Sequence, residues 1–247
     1  MTEEGETVMS ESSFLYEGKA KKIYPTDDPN VVRVEYKDDA TAFNGEKKGS
    51  VSGKGELNNR ISALLFTYLG NRGIPHHFIR TLSATEQLVK RVNILPVEVV
   101  VRNRVAGSLA RRLGLKEGSL CPSPLVEFYY KNDERGDPLI TEDHIALMEL
   151  ASREQIRQMR ERALQVNELL IELMTEKGVD LIDFKLEFGQ DENGKLLLAD
   201  EISPDTCRFW DRGTGKKLDK DRFRHSLGGV EDAYYEIWTR LGGEDRV

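Results

Sequence analysis

The sequence predicts an α+β fold of two apposed lobes, with antiparallel sheets and flanking helices rather than a wound βαβ sheet. Three observations carry this. The apolar runs before residue 130 are short and rich in β-branched residues, long helical periodicities are confined to three segments, and a hairpin signature stands late in the chain between two of them.

The opening MTEEGETVMSESS is acidic, lacks the basic and apolar regions of a secretory signal, and reads as a disordered tail over residues 1–13. FLYEGKAKKIYPTDDPNVVRVEYKDD then reads as three antiparallel strands flanking a glycine loop and a turn at Pro29-Asn30. Over residues 53–72, Leu57, Ile61, Leu64, Leu65, Tyr68 and Leu69 recur at helical spacing and stop at Gly73. HHFIRTL, EQLVKRV and PVEVVVRNRV continue a sheet. Ser152 with Gln155 forms a capping-box signature, and Ile156, Met159, Ala163, Val166, Leu169, Leu170 and Leu173 carry the longest helix to Gly178. LIDFKLEF, DENG and KLLLADEI read as a hairpin, and residues 230–241 as a last helix. No repeat or Ser/Pro-rich linker divides the chain, so the expected lobes, 14–93 and 94–247, are tightly apposed and meet near Val92.

The 36 Lys and Arg against 43 Asp and Glu leave a formal charge of −7, which argues against a nucleic-acid partner. Hydrophobic residues at 38% and charged residues at 32% suit a globular chain with a full core, so whole-chain disorder is excluded. The longest apolar runs, such as residues 63–66 and 196–199, fall far short of the roughly 20 residues of a membrane span, so no membrane partner is expected. Two cysteines, Cys121 and Cys207, form neither a disulfide framework nor a zinc pattern, which points to a reducing, cytoplasmic home.

The late hairpin carries the strongest chemical signal. Asn193-Gly194 is the preferred dipeptide of a two-residue type I′ turn, and counting back from it sets Glu187 directly across from Asp200, with Cβ atoms about 5 Å apart. Alternation puts Asp183 and Lys185 on the same face and turns Ile182, Phe184, Leu186 and Phe188 to the core. Facing carboxylates destabilise a sheet unless something positive lies between them, and Mg²⁺, commonly held by one or two carboxylates plus substrate phosphates, fits that place. The same alternation equally describes a half-buried strand with a solvated face. The segment after the hairpin favours a site: EISPDTCRFWD adds Asp205, Arg208 and Asp211 at once.

Other constellations are weaker alone. The loop EGKAKK sets Lys19, Lys21 and Lys22 beside Gly18, where backbone can approach phosphate, but an ordinary turn with surface lysines reads the same way. In LPVEVVVRNRVAGSLARR a strand ends in Arg102 and Arg104 before Gly107-Ser108 opens a short helix. Guanidinium forks beside a hydroxyl suit a discrete phosphate, and the lack of interleaved aromatics argues against RNA. His76, His77, His144 and His225 match no catalytic spacing and read as structural or exposed, and GxSxG is absent.

Taken together, EGKAKKIY, LPVEVVVRNRVAGS, LIDFKLEFG, DEISPDTCRFWD and DKDRFRHSLGG closely resemble the SAICAR synthetases, the phosphoribosylaminoimidazole-succinocarboxamide synthases of purine biosynthesis, over residues 14–243. PVEVVVRNRVAGS and DFKLEFG are near-diagnostic of that family. The resemblance implies a ligase that converts ATP, L-aspartate and carboxyaminoimidazole ribotide (CAIR) to SAICAR, ADP and phosphate. It also implies a homodimer and a two-lobed fold similar to that of ATP-grasp enzymes, in which the N-terminal lobe covers the nucleotide.

By matching position, the resemblance assigns Lys19, Ala20, Lys21 and Ile23 to the nucleotide, Lys90, Ile94 and Glu98 to its base, and Glu187 and Asp200 to Mg²⁺. Arg102, Ser108, Asp205, Arg208 and Arg224 match ribotide contacts, while Lys131, Asp137, Asp183 and Lys185 match positions near the reacting groups, Asp137 as a substrate contact and the other three as catalytic groups. Many members read AGDG where this chain has Ala42-Phe43-Asn44-Gly45. Asn44 cannot act as a base at neutral pH and stands outside the catalytic set. The expected route is an acyl phosphate attacked by the aspartate amine, with Asp183 or a substrate group taking the amine proton. A small-molecule kinase or a non-catalytic nucleotide sensor are the alternatives, separated by aspartate-dependent ADP release.

Overall fold

The computed structural model describes residues 14–42 and 45–244. The expected tail over residues 1–13 and Asn44 lie outside the described residues.

A first sheet forms from the N-terminal third. β1 (Tyr16–Glu17), β2 (Lys21–Pro25) and β3 (Val31–Tyr36) make the expected antiparallel meander. In β3, VVRVEY buries every second residue, so Val32, Val34 and Tyr36 build a small core with Val89 and Ile23. β4 (Asp39–Ala42) and β5 (Lys47–Ser50) form a separate hairpin. α1 (Lys54–Gly70) comes next; Gly53 offers no side-chain cap, and the Asp38 carboxylate instead accepts from the Gly53 and Gly55 N–H groups at 3.1 and 2.9 Å. β6 (Phe78–Thr81) and β7 (Glu86–Lys90) complete the sheet in the order β1-β2-β3-β7-β6.

The second sheet holds the main core. β8 (Asn93–Arg104), α2 (Gly107–Leu113), β9 (Leu120–Tyr130) and β10 (Leu139–Ile140) precede α3 (Glu142–Leu147) and the long α4 (Arg153–Glu176). The Ser152/Gln155 capping box forms as the sequence predicts: the Gln155 N–H donates to Ser152 Oγ, and the Ser152 N–H donates back to Gln155 Oε1. β11 (Val179–Gln190) lies between β8 on one side and β12 (Leu196–Ala199) and β13 (Cys207–Asp211) on the other, all antiparallel. α5 (Asp221–Arg224) and α6 (Val230–Arg240) close the chain. Phe184, Leu186 and Phe188 enter a core shared with α1, α4 and α6, as alternation predicts; Ile182 is buried but sits where the β11–β13 register shifts, outside that cluster. Among the described residues, no helix is long and apolar enough to cross a membrane.

The hairpin register differs from the expected one by a residue. Glu187 pairs with Ala199, not Asp200. Three residues, not two, make the turn: the Gly194 N–H donates to the Asp191 carbonyl, Asp191 Oδ1 accepts from the Asn193 and Lys195 N–H groups, and Gly194 takes φ +75°. A one-residue slip should send Asp200 to the opposite face. Asp200 instead ends the strand at φ +58°, a left-handed turn that brings its carboxylate back within 3.6 Å of Lys185.

The two sheets meet where β12 adds a bridge. The Leu198 N–H donates to the Pro75 carbonyl and the His77 N–H to the Leu198 carbonyl. Near that stitch Lys21 pairs with Asp200 and Glu201 after β12, and Ala20 lines a cavity with Lys185 and Arg208.

Candidate active site

A cavity of about 300 Å³ opens between these elements, lined by Ala20 and by Arg102, Asp183, Lys185, Asp200, Glu201, Asp205, Arg208, Lys220 and Arg224. At one end the lysines gather. Alternation along β11 puts Lys185 and Glu187 on one face, and the β8 register sets Glu98 across from Glu187. Lys185 Nζ donates to Glu187 Oε1 at 2.7 Å and to Glu98 Oε1 at 2.9 Å. Lys131 reaches Glu187 at 2.8 Å from beyond the end of β9, and Lys21 pairs with Asp200 and, at 3.1 Å, with Glu201.

Burial opposes charge on Lys185, but Glu187, Asp200 and Glu98 outweigh it and hold the ammonium well above its ordinary pKa. Lys21 is raised in the same way, against burial, by Asp200 and Glu201. Asp200 is lowered in spite of burial because Lys21 and Lys185 face it. All three are therefore ionised at neutral pH. Beneath them, burial and the Lys21 charge push His77 down to about 3, so it is neutral, and its Nε2–H donates to the Asp200 carbonyl at 3.1 Å. That bond anchors the left-handed residue carrying the carboxylate.

At the other end the arginines are locked. Arg102 sends Nε to Glu127, Nη1 to Asp183 and Nη2 to Ser108 and Tyr129. Arg208 sends Nη1 to both oxygens of Asp183 and Nε and Nη2 to Asp221. Gly107 is required beside it: a Cβ there would stand 2.4 Å from Arg208 Nη2, and φ is +54°. Asp205 is buried under three donors, Lys54 (3.0 Å), Lys220 (3.3 Å) and the Tyr234 hydroxyl (2.6 Å).

The structure thus brings together Ala20, Lys21, Glu98, Arg102, Ser108, Lys131, Asp183, Lys185, Glu187, Asp200, Asp205, Arg208 and Arg224. Lys19 lies at the rim, exposed, with Asp133 at 2.6 Å. Lys90 lines a separate cavity with Asn30, Ile79 and Asp191, and Ile94 is exposed on β8 across from Gly189. Ile23 packs into the small core, and Asp137 does not line the cavity; its Oδ1 accepts the Asn132 N–H at 2.8 Å. Sequence reasoning passes over Glu201, Lys54, Lys220, Glu127 and Asp221. Lys220 and Asp221 lie inside DKDRFR, where dense alternating charge conceals which groups turn inward, and Lys54 looks like any lysine at the start of a helix.

The SAICAR synthetase family model matches residues 14–241. The phosphoribosylaminoimidazole-succinocarboxamide synthase of Brevibacillus brevis is 59% identical, over 97% of this chain and 100% of its own length. Its counterpart in Bacillus subtilis is also 59% identical, over 96% and 98%. Among solved structures, a SAICAR synthetase in complex with ADP superposes with a TM-score of 0.91 at 50% identity, covering 94% of this chain and 99% of that one. The Ehrlichia chaffeensis synthase gives 0.92 at 45% identity, covering 95% and 100%.

Proposed function

The chain belongs to the SAICAR synthetase family, and from that premise we propose that its cavity joins L-aspartate to the carboxylate of CAIR using ATP, giving SAICAR, ADP and phosphate. It is an ADP-forming carbon–nitrogen ligase. The observation that carries the site assignment is Lys185 standing between Glu187 and Asp200 with Lys21 facing it.

A carboxylate does not react with an amine until its oxygen becomes a leaving group, so an acyl phosphate of CAIR is the intermediate. Phosphoryl transfer to that oxygen asks for position and charge neutralisation. Lys21 and Lys185, both held as ammoniums, supply positive charge on either side of Asp200, and Lys131 adds a third beside Glu187. The donor set fits Mg²⁺: Glu187 on β11 and Asp200 in the turn after β12 are hard carboxylates that both approach Lys185, and phosphate oxygens and water would complete the shell. Held by Glu187 and Asp200, the ion would neutralise charge on the transferring phosphate. Lys19, Ala20, Lys21 and Ile23 would cover the nucleotide, with Lys90, Ile94 and Glu98 toward its base.

Arg102, Ser108, Arg208, Arg224 and Asp205 would hold the ribotide, with Asp137 a further contact. Asp183 already accepts from both Arg102 and Arg208, which supports a brace between the guanidiniums and leaves the amine proton to a substrate group. The homodimer rests on the family resemblance, the cytoplasmic setting on the two cysteines without a disulfide or zinc pattern, and the division into lobes 14–93 and 94–247 on the sequence pattern.

The test is ADP release with Mg-ATP, CAIR and L-aspartate, each omitted in turn. Release that requires all three, with the succinocarboxamide product, is expected. Aspartate-independent release would make the protein a kinase or ATPase, and binding of ATP without turnover a sensor.

A further inference from the structure

The cations lining the cavity are not equally satisfied. Arg102 and Arg208 each already hold two carboxylates: Glu127 and Asp183 for one, Asp183 and Asp221 for the other. Lys220 and Arg224 are different. Arg224 donates to Asp221 Oδ1 at 2.7 Å, a carboxylate already clasped by Arg208. Lys220 Nζ has Asp205 Oδ2 at 3.3 Å, and that oxygen already takes Lys54 at 3.0 Å. Two ammoniums share one oxygen. Lys54, its side chain 1% exposed, makes the shorter contact from behind, whereas Lys220, 13% exposed, lines the cavity with donors to spare.

The electrostatics agree with the geometry. Burial lowers the Lys220 pKa, Asp205 works the other way, and the charges of Lys54 and Arg224 lower it further. This is a cation short of counter-charge, and an arriving anion would supply it. Meanwhile the Tyr234 hydroxyl holds Asp205 Oδ1 at 2.6 Å and fixes the carboxylate against which Lys220 leans.

We propose that Lys220 is a substrate ligand whose ammonium, with Arg224 beside it, binds an oxyanion of the substrates: the ribotide phosphate or a carboxylate of the amino acid. Asp205, held by Lys54 and Tyr234, aims it. The proposal rests on the ligase reading, and it adds a residue and a chemical task to that site.

Lys220→Met, which keeps the length of the chain and removes the charge, tests it in steady-state assays. The KM for CAIR or for L-aspartate should rise tenfold or more, while the affinity for Mg-ADP, bound at the lysine end, stays within twofold. A rise confined to CAIR identifies the phosphate, and one confined to aspartate identifies the carboxylate. Lys220→Arg should recover at least half of the loss on a logarithmic scale. Both KM values within twofold of wild type, or a fall in kcat alone, would overturn the proposal. If Lys220→Met no longer binds ADP, acetylation of Lys220 in the wild-type protein, followed by peptide mass spectrometry, decides: CAIR or L-aspartate should slow it tenfold, and no protection by either overturns the proposal. Wild-type protein without aspartate-dependent turnover would remove the ligase reading instead. Labelling with inorganic phosphate and succinate as probes then tests the anion site separately, protection supporting it and none overturning it.

Discussion

At one end of the cavity Lys21, Lys131 and Lys185 face Glu98, Glu187, Asp200 and Glu201, and at the other Arg102 and Arg208 clasp Asp183. Both ends keep buried carboxylates paired, yet with different side chains. A lysine offers a point charge on a rotatable stem, and it can exchange a carboxylate partner for a phosphate. An arginine offers a fixed fork, and here the forks are already filled by Asp183, Asp221 and Glu127, so that end is built before any ligand binds. On the proposed reading, the difference separates chemistry that must exchange partners from recognition that must hold a shape.

On that division, the largest stability effect belongs to the arginine end. Asp183→Asn leaves Arg102 and Arg208 buried without their shared counter-charge, and unfolding in urea should show a loss of about 3–5 kcal/mol. A loss under about 1 kcal/mol would break the comparison. Lys185→Met should do the reverse: turnover falls about 10²–10³-fold, as for removal of one preorganised donor, with less destabilisation than Asp183→Asn because Lys131 and Lys21 still pair with Glu187 and Asp200. Equal destabilisation by the two variants would erase the distinction.

Asp219 gives a pH-dependent test of the rigid end. Its carboxylate accepts from the Phe209 and Asp221 N–H groups and so ties the strand bearing Arg208 to the helix bearing Arg224. Burial first, and then the Asp221 charge, push it up to about 7 from an ordinary 3.8. A raised folded-state pKa means the native protein binds the extra proton between those values, so this group's contribution to stability falls as pH rises from about 4 to 7. His77, lowered from 6.5 to about 3, pulls the opposite way in much of that window. The difference between wild type and Asp219→Asn isolates the carboxyl: wild type should lose stability relative to the variant between about pH 4 and 7. A constant difference across that range would contradict the assignment. The smallest effect is at the hairpin, where Gly194→Ala at φ +75° should cost about 1 kcal/mol.

Much of this was legible in the chain. The helix beginning at Ser152, the meander of the first three strands and the inward turn of Phe184, Leu186 and Phe188 come from caps and periodicity, which are local. The hairpin signature points to Glu187 and Asp200 sharing one face, and both approach Lys185, but in a register one residue away from the one the Asn-Gly turn implies. Asn193-Gly194 does mark the turn, yet the Asp191 carboxylate accepts two N–H groups and lengthens it by a residue, and a left-handed Asp200 restores what the slip would have lost. Neither effect has a local sequence signal strong enough to override the Asn-Gly preference. Lys54 and Lys220 carry no local signal, because their meaning lies in a shared partner, Asp205, more than a hundred residues away from one of them.

The central claim is that the lysine end exchanges its internal partners for a magnesium-bound nucleotide. Turnover of wild type and Glu187→Gln, titrated with Mg²⁺ at fixed ATP, CAIR and L-aspartate, tests it most directly. Wild type should saturate, whereas the variant should need far more Mg²⁺ and fall at least a hundredfold at limiting concentrations. Near-normal rates for Glu187→Gln in limiting Mg²⁺ would contradict it.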